Sequence, residues 1–153
     1  ARAKFWPESA VVAVDRSAEA LALARENAAK LSLADRVAFR ESDWFAALAG
    51  EPPFQLIVSN PPYLTAAEVA AAEPEVRDHD PVAALVAERD GRADLETIIR
   101  GAPAFLAPGG LLALETGIAQ HTELTEFAAP FGYTAIESRR DLTDRERFLL
   151  LRR

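Results

Sequence analysis

An apolar run that ends in Asn-Pro-Pro-Tyr, at residues 56–63, constrains the fold more than any other part of the chain. Its β-forming residues predict a buried strand over Gln55–Ser59 and a loop over Asn60–Tyr63. Each proline fixes its own φ at about −65° and removes a backbone donor, so the loop is stiff. Because ligands of open α/β sheets bind beyond the carboxyl ends of the strands, the sequence predicts a rigid loop at a ligand-binding edge.

The free groups of this loop are mostly acceptors: the amide oxygen of Asn60 and the carbonyls of Asn60 and Pro61. Two acceptors on a rigid loop suit a planar NH2 group. Such a nitrogen is a poor nucleophile because its lone pair is delocalised, so positioning and electrostatics must do most of the work. Tyr63 can cover the flat face of the substrate and exclude water. The alternative is a plain turn after a strand, since these residues dominate turns.

Strands and helices alternate along the chain. Apolar runs predict further strands at 9–14, 37–40, 111–115, 133–138 and 147–151, and amphipathic spacing predicts helices at 18–31, 94–106 and 120–129. The alternation predicts an α/β fold with parallel strands, crossover helices and an antiparallel pair at the end of the sheet. We also expect the end of a helix at 1–6, a short helix at 65–72, an acidic loop or lid at 73–92, and a turn at 108–110.

Composition narrows the class of protein. The 153 residues suffice for one domain, and the absence of cysteine excludes disulfides and thiolate metal sites. A net charge of −7 argues against nucleic acid binding by this chain alone. No apolar run is long enough for a membrane span and no secretory leader is present, so cytoplasm is the expected location. The chain has no methionine and no glycine before Gly50, which indicates a piece of a longer protein.

The Asn60–Tyr63 loop after an apolar strand resembles that of the amino-methyltransferases that use S-adenosylmethionine. The flanking segments resemble the protein-(glutamine-N5) methyltransferases of peptide chain release factors (the HemK/PrmC family). These segments are Val11–Asp15, Asp43–Phe45, Glu75–Pro81, Pro108–Gly110, Leu114–Gly117, and Arg139–Leu142 with Arg145 and Arg147. The resemblance covers nearly the whole chain.

That resemblance implies a Rossmann-like methyltransferase sheet of seven strands, with helices on both faces and an antiparallel last strand. It also implies that residues 1–153 are a partial catalytic domain. The family's first strand, its glycine-rich loop and an N-terminal recognition domain would then lie upstream of Ala1. The implied reaction moves a methyl group from S-adenosylmethionine to the side-chain amide of a glutamine in a release factor, leaving S-adenosylhomocysteine.

The resemblance assigns roles to individual residues. Asp15 is expected to bind the ribose hydroxyls of the cofactor, Asp43 the adenine amino group, and Trp44 or Phe45 the flank of the adenine ring. The alternatives are a solvated turn or cap for Asp15, an exposed loop acid for Asp43 and core positions for the aromatics.

The loop residues receive the catalytic and substrate-binding roles. Asn60 orients the substrate nitrogen and also contacts the cofactor, Pro61 offers its carbonyl, and Tyr63 packs on the acceptor amide. Pro62 lies in the substrate site, more as a stiffening residue than as a contact.

Three further residues are weaker candidates. Glu115 ends a predicted strand, where acids often cap the next helix. His79 falls in the predicted lid, where a lone histidine is usually polar surface, and His121 falls in the first turn of a helix without an assigned role. No cluster has the spacing of metal ligands.

Two other functions remain open. The same tetrapeptide would suit an exocyclic amine of DNA or RNA, although a base normally requires flipping or a single strand and a basic groove. A truncated, non-catalytic binding module is the second alternative, and the lack of early glycine is the observation in its favour.

Overall fold

The computed structural model describes residues 9–64 and 91–153. The chain divides into two compact units, Ala1–Glu51 and Pro52–Arg153, and each is described by itself. The predictions for residues 1–7, for the short helix at 65–72, for nearly all of the acidic loop and for His79 lie outside the described residues.

The first unit is a strand–helix–strand arrangement, as the sequence predicts. Strands β1 (Val11–Asp15) and β2 (Val37–Glu41) are parallel neighbours, joined by helix α1 (Ala18–Lys30) and a 3-10 turn at Ala34–Arg36. The hydroxyl of Ser17 caps α1 by accepting a hydrogen bond from the backbone N–H of Ala20 at 3.1 Å. This cap sets the direction in which the chain leaves the carboxyl end of β1.

The second unit contains a sheet of four strands in the order β3-β4-β6-β5. Its helices and strands are β3 (Phe54–Ser59), α2 (Ala93–Gly101), β4 (Leu106–Glu115), α3 (His121–Ala128), β5 (Ala135–Arg140) and β6 (Glu146–Arg152). Strand β4 is parallel to β3, whereas β6 is antiparallel to both β4 and β5. The predicted antiparallel pair at the end of the sheet is therefore confirmed.

Leucine and isoleucine side chains from two helices and two strands form the core of the second unit. The fully buried residues include Leu95, Ile98 and Ile99 of α2, Leu124 of α3, Leu112 and Leu114 of β4, and Leu149 and Leu151 of β6. Burying each such side chain contributes about 1.5–3 kcal/mol. Strands β4 and β6 are thus tightly packed, and residues at their ends are held in fixed positions.

Two local predictions are wrong. Strand β3 is only partly buried, and Val58 is 60% exposed. Within the described residues β3 is an edge strand that pairs with β4 alone, so side chains of a neighbouring strand flank it on one side only. The predicted turn at 108–110 belongs to β4 instead, as a bulge between the pairs Phe54↔Leu106 and Leu56↔Leu111. The bulge accommodates the positive φ of Gly109, which is 74°.

The C-terminal end of α2 also differs from its prediction. A helix over 94–106 with a bend at Pro103 was expected, but α2 ends at Gly101 and a 3-10 turn covers Ala102–Ala104. Proline cannot donate the backbone hydrogen bond that would continue the helix, so the α-helical pattern stops before it. Within the described residues, no helix is long and apolar enough to cross a membrane, and no group of metal-ligating side chains is present.

Candidate active site

Two exposed carboxylates lie at one edge of the first unit. Asp15 ends β1 and Asp43 follows β2, the parallel neighbour of β1. The backbone N–H of Ser42 donates to the carbonyl of Asp15 at 2.9 Å, which ties the two strand ends together. Asp15 also accepts a hydrogen bond from the N–H of Ser17 at 2.8 Å through Oδ1, so it caps the turn before α1. Both acids are placed at the edge where ligands of parallel sheets bind.

Ser42 shapes the loop that carries Asp43 and Trp44. Its side chain is buried, donates to the carbonyl of Trp44 at 2.9 Å and accepts from the N–H of Ala47 at 3.0 Å. Trp44 is half-buried and has a φ of 46°, a left-handed conformation that the serine bonds help to hold. Sequence reasoning missed Ser42, and its only signal was a hydroxyl residue directly before a loop with acidic and aromatic residues.

In the second unit, the loop after β3 presents one polar side chain to solvent. Asn60 is exposed, Pro61 is buried and Pro62 is half-buried. The two prolines therefore pack, fully or in part, against the rest of the unit, and the amide of Asn60 is accessible. The roles predicted for these three residues remain predictions.

Tyr63 is held by an ion pair that the sequence does not reveal. Its hydroxyl donates to Oε1 of Glu115 at 3.1 Å and accepts from Nη2 of Arg147 at 2.6 Å. The same arginine nitrogen lies 2.6 Å from Oε1 of Glu115, and the guanidinium carbon lies 4.9 Å from the centroid of the tyrosine ring. We call Tyr63, Glu115 and Arg147 the Tyr63 cluster.

The backbone of Tyr63 is fixed as well. Nε2 of Gln120 donates to its carbonyl at 3.0 Å, while Oε1 of Gln120 accepts from the N–H of Gly117 at 2.8 Å. Gly91 is buried against the same carbonyl, and a Cβ at this position would lie 2.1 Å from the oxygen. A residue with a side chain at position 91 would therefore displace the loop.

Burial and hydrogen bonding together set the protonation states of Tyr63 and Arg147. It raises the pKa of the Tyr63 hydroxyl, and the nearby Glu115 carboxylate acts in the same direction against the opposing effect of Arg147. Burial disfavours the charge of Arg147, but the hydrogen bonds and charges of Tyr63 and Glu115 prevail and raise its pKa. Tyr63 is therefore a neutral phenol beside a charged arginine at physiological pH.

Glu115 does not cap the helix that follows β4, as strand-end acids often do. Its carboxylate instead binds Tyr63 and Arg147.

His121, to which sequence reasoning assigned no role, is the first residue of α3 and is 4% exposed. Its Nε2 lies 2.7 Å from the hydroxyl oxygen of Thr116, and its Nδ1 lies 2.7 Å from that of Ser138. Burial lowers the pKa of the imidazole, so the neutral ring joins the start of α3 to the residue that follows β4 and to β5.

Comparisons with known proteins identify the family of the chain. A family model described as a methyltransferase domain matches residues 1–142. The chain therefore belongs to the methyltransferase domain family. The fold resembles that of a methyltransferase from Pyrococcus furiosus, with a TM-score of 0.71 and 17% identity over 99% of this chain and 66% of that chain. It also resembles TrmN from Thermus thermophilus, with a TM-score of 0.62 and 22% identity over 99% of this chain and 38% of that chain. The predicted Rossmann-like methyltransferase fold is confirmed.

Curated relatives define the resemblance more closely. The release factor glutamine methyltransferase of Deinococcus radiodurans is 50% identical over 147 residues, which are 96% of this chain and 51% of that protein. The protein of the same name from Yersinia pestis is 42% identical over 143 residues, 94% of this chain and 50% of that protein. The predicted resemblance to release factor glutamine methyltransferases is confirmed. The chain spans about half the length of these curated relatives.

Proposed function

We propose that the protein containing this chain transfers a methyl group from S-adenosylmethionine to the side-chain amide nitrogen of a glutamine in a peptide chain release factor. The S–CH3 bond breaks as the N–CH3 bond forms, which leaves S-adenosylhomocysteine, and the nitrogen releases one of its two N–H protons to solvent. The observation that carries the proposal is the exposed amide of Asn60 on a loop supported by buried Pro61 and by the anchored Tyr63. The names of the relatives supply the acceptor.

The loop suits a primary amide acceptor for a chemical reason. The amide oxygen of Asn60 and the carbonyl of Pro61 each accept a hydrogen bond from one N–H group of the substrate amide. The face of the nitrogen that carries its lone pair is then turned toward the methyl donor. Positioning of this kind is the main contribution a protein can make to a weak nucleophile. The ring of Tyr63 covers the flat amide and keeps water away from it.

The residues of the first unit fit the cofactor. The exposed carboxylates of Asp15 and Asp43 are acceptors suited to ribose hydroxyls and to an adenine amino group, and Trp44 offers an aromatic face to the adenine ring. The bound cofactor supplies an electrophilic methyl on a sulfonium, so no residue of this chain has to generate the electrophile.

The remaining assignments follow from the same proposal. Residues 1–153 form part of the catalytic domain, and further chain of the whole protein contributes cofactor binding and recognition of the release factor. The net charge of −7 supports a protein acceptor over direct binding of nucleic acid. We place the reaction in the cytoplasm.

A competition between acceptors tests the proposal. The complete protein is given labelled S-adenosylmethionine together with a release factor and total nucleic acid. We expect the label on the release factor. Label on nucleic acid instead would move the protein to the base-methylating class, and bound cofactor without label on either acceptor would leave the fold assigned and the proposed substrate wrong.

A further inference from the structure

We propose that Glu115 and Arg147 are positioning residues that fix the ring of Tyr63 for the transfer reaction. The inference rests on the proposed function, in which that ring covers the acceptor amide. It adds Glu115 and Arg147, whose side chains contact the hydroxyl of Tyr63, to the residues named in that proposal.

The first argument is the closed geometry of the Tyr63 cluster. The hydroxyl donates to Glu115 at 3.1 Å and accepts from Arg147 at 2.6 Å, and the two charged groups are 2.6 Å apart. Each member therefore bonds to the other two. A rotation of the tyrosine ring away from this position breaks two charge-assisted hydrogen bonds, which are stronger than neutral ones.

The second argument is that the ring is anchored at both ends. The hydroxyl is held by the ion pair, while the backbone carbonyl of Tyr63 is held by Gln120 at 3.0 Å and confined by Gly91. A phenol fixed at its oxygen and at its backbone has little freedom in χ1 or χ2. The face of the ring that the Arg147 guanidinium does not cover is then the part of the residue that can meet a substrate.

The third argument is the rigidity of the anchor. Glu115 is the last residue of β4 and Arg147 lies near the start of β6, its antiparallel neighbour. The N–H of Thr116 donates to the carbonyl of Arg147 at 3.0 Å, so the two backbones are joined beside the ion pair. The side chains of Arg147 and Glu115 are only 19% and 30% exposed. Groups on packed strands hold a site more accurately than groups on loops.

This arrangement assigns the hydroxyl of Tyr63 a structural use. Because it is engaged by Glu115 and Arg147, the hydroxyl serves as the anchor of the ring and not as a proton acceptor for the substrate. The raised pKa of the phenol agrees with this use. A Tyr63→Phe variant therefore keeps the covering ring and loses its fixed orientation.

A double-mutant cycle in the complete protein tests the inference. We expect Arg147→Met, Glu115→Gln and Tyr63→Phe each to lower kcat about tenfold or more, because small misplacements near a reacting group are costly. Cofactor Kd and the KM for the release factor should stay within about twofold, the size of ordinary context effects. Adding Arg147→Met to Tyr63→Phe should cost little more, because both remove the same anchor. An equal loss from Arg147→Met in both backgrounds would overturn the inference.

The control is Arg139→Met, which removes another arginine of the same sheet whose ion pair with Glu137 is mainly exposed. This variant should keep the kcat of the unaltered protein. A loss equal to that of Arg147→Met would show that any lost arginine disturbs the sheet, and would contradict a specific role for Arg147.

A spectroscopic measurement separates this inference from the proposed function. In protein labelled with ¹³C at the tyrosine hydroxyl carbon, Tyr63→Phe identifies the Tyr63 resonance. We expect that resonance to shift in Arg147→Met and to keep its position in Arg139→Met. An unshifted resonance in Arg147→Met overturns the anchor. A shifted resonance in a protein that binds cofactor but does not methylate release factor means that the anchor stands and the proposed substrate fails.

Discussion

Asn60 and Tyr63, both in the loop that follows β3, differ in exposure and in their contacts. The side chain of Asn60 is exposed and offers acceptors, whereas Tyr63 is held in place by partners that lie 52 and 84 residues away in the chain. In the proposed function, Asn60 therefore binds the acceptor amide, and Tyr63 provides a fixed surface beside it. The two residues should consequently fail in different ways when they are changed.

For Asn60→Ala we expect methylation to fall about a hundredfold or more, because the substrate nitrogen loses one of the acceptors that orient it. Cofactor affinity should change much less. Single-turnover rates and equilibrium binding of the cofactor measure the two quantities separately. Asn27→Ala, at an exposed position of α1, is the matched control and should leave both unchanged. A large loss of cofactor affinity with intact turnover would make the assignment of Asn60 wrong.

His121 should make stability depend on pH. Burial lowers its pKa in the folded state below the ordinary value of 6.5, with Glu146 opposing and Arg147 reinforcing this effect. The folded protein thus binds the proton less tightly than the unfolded chain does. The contribution of neutral His121 to the free energy of unfolding is complete above about pH 6.5 and declines as the pH falls below that value.

Denaturant unfolding at several pH values measures this contribution. We expect the free energy of unfolding to fall from neutral pH to mildly acidic pH, and the slope to become shallower in His121→Gln. An unchanged slope in His121→Gln would show that His121 is not the responsible group.

At the scale of the element, the ends of strands carry the candidate site. Asp15 and Asp43 follow the parallel pair β1 and β2, while Asn60 and Glu115 lie at the ends of the parallel pair β3 and β4. Parallel strands gather their carboxyl ends at one edge, so residues distant in sequence become neighbours within each unit. The helices contribute by fixing how the chain leaves those ends.

The cap of α1 is the simplest element to test. Ser17→Ala removes the side-chain oxygen that accepts from the N–H of Ala20. We expect a loss of about 1 kcal/mol in the free energy of unfolding, measured by denaturant titration. Ser17→Asp keeps an acceptor at the cap and should recover most of the loss. Equal stability of Ser17→Ala and the unaltered chain would show that the cap contributes nothing.

Patterns of local sequence predicted the elements well because periodicity and caps act over a few residues. The helix predicted at 18–31 and the strand predicted at 37–40 match α1 and β2 to within a residue at each end. The sequence predicts a turn at Gly109 where the structure has a bulge, because glycine and proline are common in both turns and bulges. The partial exposure of β3 depends on which strands lie beside it, and no pattern within β3 records that.

The candidate site was predictable in its exposed residues and not in its supports. Asn60 and Tyr63 are identified by the Asn-Pro-Pro-Tyr sequence. The hydrogen bond between Tyr63 and Arg147, by contrast, joins β6 to a loop 84 residues earlier in the chain. Such pairs follow from strand order, which local patterns do not specify. The burial of His121 was missed for the same reason, because Ser138 reaches it from β5.

At the scale of the whole molecule, charge and length bear on the partner. The sequence has a net charge of −7, which fits the proposed protein acceptor better than a phosphate backbone. The chain spans about half the length of its curated relatives. Experiments on the acceptor accordingly require the complete protein.

Locating the transferred methyl group within the acceptor tests the central claim most directly. The complete protein is incubated with S-adenosylmethionine and a release factor, and the release factor is then digested and sequenced by tandem mass spectrometry. We predict one added methyl group on the side chain of a glutamine, and its absence with Asn60→Ala. A methyl group on another type of residue, or the same modification with Asn60→Ala, would contradict the account.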